Sequence, residues 1–132
     1  LSDLWELFPT YSKANVEKDS YLNSQFNAMI TPGYRSFLSS NPSLLIEDVD
    51  CPVLAINGKL DTQVAAEKNL NSISETLRNG GNKTFETKVY SNLNHLFQES
   101  ATGLIDEYAN IEQTISPEVL SDITTWLKKQ IE

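Results

Sequence analysis

The chain has 132 residues, 39% hydrophobic and 21% charged, with five Gly, five Pro, one Cys and one His. At ~100–200 residues per domain it is at most one domain, able to bury roughly two thirds of its unfolded surface, and its composition excludes a disordered tail, a collagen-like repeat and a coiled coil. Ten Lys and Arg against 18 Asp and Glu leave a net charge of −8 with no basic cluster beyond Lys128-Lys129, so neither nucleic acid nor an anionic membrane is an expected partner.

The single residues narrow the chemistry further. Cys51 alone builds no internal disulfide and no cysteine-based zinc site, and His95 alone builds no multi-histidine metal site. No metal or other cofactor is expected. No apolar run approaches the ~18–20 residues that span a bilayer, and no basic-then-apolar start reads as a signal peptide.

Leu1, Leu4, Trp5 and Phe8 fall on one helical face before Pro9 interrupts it. Leu22, Phe26, Met29 and Ile30 make a second such face. Thr31-Pro32 reads as an N-cap and first-turn proline for a short helix through Tyr34, Phe37 and Leu38, which Asn41-Pro42 ends. These large apolar side chains call for a surface to cover, as core or as a lid.

The pattern changes at Cys51, a small side chain expected to be buried at a strand entrance. Pro52 to Asn57 is a short apolar run closed by Gly58, as in a strand of a parallel sheet covered on both faces. Ala66, Leu70, Ile73 and Leu77 then step at helical spacing, and Arg78-Asn79-Gly80-Gly81 supplies a basic last turn and a glycine stop. Thr84 to Tyr90 alternates apolar and charged residues, the mark of a half-exposed strand. Strand, helix and strand in this order predict a βαβ unit with parallel strands. Helical turns are expected around Tyr108 and Ile111. Ser116-Pro117-Glu118 starts a last helix, with a stripe of Leu120, Ile123, Leu127 and Ile131 widened by Trp126.

Two strands cannot make a satisfied sheet. The buried-type strand needs a neighbour on each side and the chain supplies one, so the remaining strands are expected upstream, in a longer protein. An open edge also invites self-association.

In open parallel sheets ligands meet the loops at the carboxyl ends of the strands. Asp61 follows the first strand and His95 the second, so both loops lie at one end of the sheet. A carboxylate that accepts from one imidazole nitrogen fixes the tautomer, leaving the other nitrogen to take a proton from a nucleophile. Each residue also has a plainer reading. Asp61 precedes a helix, where Asp is a favoured cap, and an isolated loop histidine is as a rule a surface or packing residue. No G-x-S-x-G elbow and no oxyanion-hole glycine run occurs among Gly33, Gly58, Gly80, Gly81 and Gly103. These residues alone are therefore expected to be inactive.

Cys51-Pro-Val-Leu-Ala-Ile-Asn-Gly-Lys-Leu-Asp-Thr-Gln-Val64 resembles the penultimate strand and acid loop of α/β-hydrolases. Leu93-Asn-His-Leu-Phe97 resembles their histidine loop, and Ile111 to Leu120 with the Trp126 helix is similar to the closing helix of a bacterial esterase-like subgroup. That subgroup is grouped with dienelactone hydrolases and serine aminopeptidases. The resemblance covers about residues 31–131. It implies an α/β chain forming the C-terminal portion of a hydrolase fold, with the last two parallel strands and flanking helices in 31–132 and a remnant of a helical cap in 1–30. It also implies a carboxylesterase working through a Ser-His-Asp triad, with Asp61 as acid, His95 as general base and the serine upstream. The substrate would be a small acyl ester or a peptide. A peptidase or thioesterase of the same fold, a hydrolase degenerate in its upstream half, and a non-catalytic acidic interaction module are the competing readings.

Overall fold

The structure is a computed structural model that describes residues 17–131; the expected helical face through Leu1, Leu4, Trp5 and Phe8 lies outside the described residues. The chain divides into two compact units, Leu1–Asn41 and Pro42–Glu132.

In the first unit, helix α1 spans Lys18–Met29, and the Glu17 carboxylate caps it by accepting from the Ser20 N–H at 3.1 Å. Helix α2, Pro32–Ser39, starts as the sequence predicts. The Thr31 hydroxyl accepts from the Tyr34 N–H at 3.3 Å and donates to the Ala28 carbonyl at 2.8 Å, with Pro32 in the first turn. The apolar faces are present: on them Leu22 is half-buried, while Phe26, Met29, Ile30, Phe37 and Leu38 are exposed. The sequence pattern specifies the helix face; it cannot supply the surface against which that face would pack.

The second unit opens with α3, Pro42–Ile46, a short helix where the sequence suggests only a break. Strand β1 (Val53–Gly58), helix α4 (Ala66–Asn79) and strand β2 (Phe85–Tyr90) follow, then a 3₁₀ helix (Ile105–Asn110) and α5 (Pro117–Ile131). The strands pair in parallel, Val53 opposite Phe85 through to Gly58 opposite Tyr90, forming the predicted βαβ unit as a two-stranded sheet. Helix α4 ends as its glycines require. The Gly81 N–H bonds the Arg78 carbonyl at 3.1 Å and the Asn82 N–H reaches back to Leu77 at 2.9 Å, with Gly81 at φ +87°. This is a Schellman cap, and the left-handed position is cheap for glycine.

Opposite faces of the sheet meet different helices. Phe85 takes the Arg78 guanidinium of α4 over its ring, 5.3 Å from the centroid. Lys88 and Tyr90, on the other face, meet α5: the Tyr90 hydroxyl donates to Asp122 at 2.8 Å and Lys88 pairs with Glu118 at 2.9 Å and with Asp122. Tyr90, Leu93 and Val119 form a core cluster joined by Ile56, Phe97, Ile115 and Ile123, with Tyr90 and Phe97 edge to face at 6.2 Å.

Three expectations are corrected here. Cys51 is exposed, because it lies outside the ladder that begins at Val53. Strand β1 is only partly buried up to Asn57, since it has a pairing partner on one side alone among the described residues. The face that α5 buries is centred on Val119, with Ile123 and Trp126 half-buried, whereas Leu120, Leu127 and Ile131 are exposed. The hydrogen bonds from Lys88 and Tyr90 to Glu118 and Asp122 fix that rotation. No helix among the described residues is long and apolar enough to cross a membrane.

Candidate functional site

The two loops at the carboxyl end of the sheet are locked to each other through their backbones. After β1, the Lys59 N–H bonds the Tyr90 carbonyl at 2.8 Å and the Leu60 N–H bonds the Leu93 carbonyl at 3.0 Å. Gly58 makes this approach possible, because a Cβ there would collide with the Leu93 and Asn94 carbonyls. Strand β1 must end in a residue without a side chain for the Asp61 loop and the His95 loop to touch.

Asp61 sits in a tight turn, its N–H bonded to the Gly58 carbonyl at 3.2 Å. Its Oδ1 accepts from the N–H groups of Gln63 (2.8 Å) and Val64 (2.9 Å). Its Oδ2 accepts from the Asn57 side-chain amide at 3.0 Å and faces His95 Nδ1 at 2.9 Å. The capping alternative is thus half true. Asp61 closes a turn through one oxygen, but α4 begins at Ala66 behind Ala65, which offers no side-chain cap.

The His95 loop is organised by Asn94, fully buried. Its Oδ1 accepts from Leu96 (2.9 Å) and Gln98 (3.0 Å), and its Nδ2 donates to Gln98 Oε1 at 3.0 Å. The chain turns sharply at Phe97, whose φ is +57°. The Gln98 amide then donates to the Gln113 carbonyl at 2.9 Å, and the Ser116 N–H bonds the Phe97 carbonyl at 2.8 Å, tying the loop to the start of α5. A third segment braces the acid loop. The Gly103 carbonyl accepts from Thr62 at 3.2 Å, and the Tyr108 hydroxyl accepts from Gln63 at 3.2 Å. Glu107 orders that segment by accepting from Ser100, Thr102 and Gly103.

The electrostatics of the pair are asymmetric. The Asp61 side chain is 4% exposed and that of His95 37%. Burial pushes the Asp61 carboxyl up, but the hydrogen bonds from His95, Val64, Gln63 and Asn57 together outweigh it and hold the carboxyl below its ordinary value. An ionised carboxylate only accepts, so Nδ1 carries a proton, and in the neutral imidazole Nε2 presents its lone pair. Such an arrangement can take a proton from a neighbouring hydroxyl or thiol and stabilise the imidazolium that results. Among the described residues, no group of three or more His, Cys, Asp or Glu is placed to hold a metal ion.

The structure brings together Asp61 and His95, the two residues that sequence reasoning singled out. That reasoning missed Asn57, Gly58 and Asn94. Asn57 had a signal, a lone amide in an apolar strand, and so did Asn94, next to the histidine; the close approach at Gly58 had none.

The family model described as "Dienelactone hydrolase family" matches residues 22–130. Among curated proteins and among solved structures, none matches the chain. The match runs from within α1 through nearly all of α5, including both strands and both loops that carry Asp61 and His95, and the parallel α/β arrangement is the one such a hydrolase requires: the chain belongs to the dienelactone hydrolase family, an α/β-hydrolase-fold family.

Proposed function

We propose that this chain supplies the acid and the general base of a serine hydrolase that cleaves small carboxylic esters, with Asp61 as the acid and His95 as the base. One observation carries the reading: His95 Nδ1 lies 2.9 Å from a carboxylate oxygen that is almost wholly shielded from water, while the imidazole itself is more than a third exposed. A histidine held in this way has one nitrogen committed to the fold and the other available to substrate chemistry.

In this reading Nε2 takes the proton of a nucleophilic hydroxyl as the oxygen attacks the ester carbonyl. The imidazolium then returns the proton to the departing alkoxide, leaving an acyl-enzyme. Water then attacks the acyl carbonyl, giving its proton to Nε2, and the imidazolium passes that proton to the nucleophile oxygen as the acyl bond breaks and the acid leaves. In this reading the nucleophile and the oxyanion donors come from further strands of the same fold, which pair along the edge of β1 that has no partner among the described residues. The short-ester preference rests on family membership.

The test is turnover of a p-nitrophenyl acyl ester by the full-length protein. His95→Ala is expected to lower kcat by about 10⁴-fold or more, with an unchanged circular-dichroism spectrum. Turnover within twofold of the parent in a folded His95→Ala protein rejects the assignment.

A further inference from the structure

Asn57 is the only polar side chain in the run Val53–Asn57, and the acid–base chemistry described above does not use it. It occupies the penultimate position of β1, opposite Val89, with its side chain partly buried. Its Nδ2 donates to Asp61 Oδ2 at 3.0 Å and to the Gly58 carbonyl at 3.1 Å. An amide nitrogen has two hydrogens, and both are committed. The opposite amide orientation would set a carbonyl oxygen against two acceptors, so the orientation is dictated by its surroundings.

A carboxylate offers about four lone-pair sites. At Asp61 they are met by Gln63 N–H and Val64 N–H on Oδ1, and by Asn57 and His95 on Oδ2. The turn fixes Oδ1. Apart from the imidazole, Asn57 alone among the described residues fixes Oδ2. Without it, the plane of the carboxylate would be held toward His95 by the one group it is meant to orient.

We propose that Asn57 is a positioning residue that locks the Asp61 carboxylate in the plane facing His95 Nδ1, and so sets the histidine tautomer. The proposal rests on the acid–base reading of the pair, but its geometry can be tested apart from turnover. Replacing Asn57 by Leu keeps the approximate shape and removes both donors. Oδ2 then rotates out of line with Nδ1, and His95 populates both neutral tautomers.

The imidazole ¹⁵N resonances of His95 are identified as those absent from a folded His95→Ala protein. In the parent protein they are expected to report a single Nδ1-protonated tautomer above the imidazole transition. In Asn57→Leu they should move toward a mixture, while backbone amides away from 57–64 and 92–97 stay in place. In the full-length protein the same substitution should lower kcat on a p-nitrophenyl ester on the order of 10–100-fold, the range seen when a partner that orients a histidine ligand is lost, with KM little changed. A folded Asn57→Leu protein that keeps the parent tautomer overturns the proposal. If that variant does not fold, the parent protein decides alone. The Asn57 side-chain amide protons should shift with the protonation of the Asp61 carboxyl as pH falls, and amide protons indifferent to that transition overturn it. A tautomer change in Asn57→Leu together with full turnover in His95→Ala would keep the positioning role and reject the hydrolase reading; the reverse pair of results would do the opposite.

Discussion

The helices of residues 17–41 and the packed body of residues 42–131 draw on the same kinds of apolar side chain, with opposite outcomes. In the second unit Leu77 and Val119 are 1% and 0% exposed. In the first, Phe37 and Leu38, equally well placed on a helical stripe, are 70% and 64% exposed. A periodic stripe makes a helix amphipathic, but burial comes from a partner surface. In 42–131 the sheet supplies that surface, with α4 of the crossover against one face and α5, which follows β2, against the other. The active-site candidates follow the same division. Asp61 and His95 meet because both are anchored to strands that are themselves packed.

The contrast is broken most sharply by cavity substitutions. Leu77→Ala should cost about 2–5 kcal/mol, whereas Phe37→Ala should stay within about 0.5 kcal/mol; urea midpoints of the two proteins read the difference. Comparable losses would mean that the first unit buries its aromatic residues in solution. The two glycines Gly58 and Gly33 sharpen it next. Gly58→Ala forces a methyl into the Leu93 and Asn94 carbonyls and should cost about 1–3 kcal/mol. Gly33→Ala, with nothing within 4 Å of the new carbon, should gain about 0.5–1 kcal/mol through helix propensity.

Much of this was legible in the residues. The apolar run at 53–57, the stepping of Leu70, Ile73 and Leu77, and the alternation up to Tyr90 give β1, α4 and β2, because each depends on local periodicity and on glycine stops. Placing Asp61 and His95 together needed one further rule, that parallel strands deliver their following loops to the same end. What stayed hidden depends on contacts across long sequence separations. The rotation of α5 is set by Lys88 and Tyr90 reaching Glu118 and Asp122, and a stripe of Leu and Ile does not reveal that Val119 is the residue buried. Asn94 builds the histidine turn through bonds to Leu96 and Gln98; its place beside His95 marks it out in the sequence, but these bonds are visible only in the fold. The short helix at Pro42–Ile46 has too few residues to show a period.

A smaller effect comes from pH, and its sign differs at the two ends of the scale. Glu107, held by Ser100 and Thr102, titrates at about 2 instead of 4.5, and Asp61 and Asp122 are also held below the ordinary aspartate value. Carboxylates with depressed values stabilise the fold above the ordinary range, and that contribution is lost as pH falls through the folded values. For Glu107 the window runs from about 4.5 down to about 2. On the alkaline side, burial and Asp122 push the Tyr90 hydroxyl from 10.0 to about 12, while Asp122 and Glu118 raise Lys88. Stability from these two is complete below pH 10 and declines as pH rises toward 12. Urea midpoints should therefore be flat from pH 5 to 9 as far as these groups are concerned, and fall at both extremes. A midpoint that rises below pH 4 would contradict the acid network at Asp61 and Glu107.

The account stands or falls on Asp61 acting through His95, and a double-mutant cycle on ester turnover by the full-length protein asks that question directly. Asp61→Asn should lower kcat about 10⁴-fold and His95→Ala at least as much, with the double variant no slower than His95→Ala alone, because residues that work as a unit are not additive. Losses that multiply in the double variant, or a folded Asp61→Asn protein with parent-like turnover, would show that the two side chains touch without sharing a task.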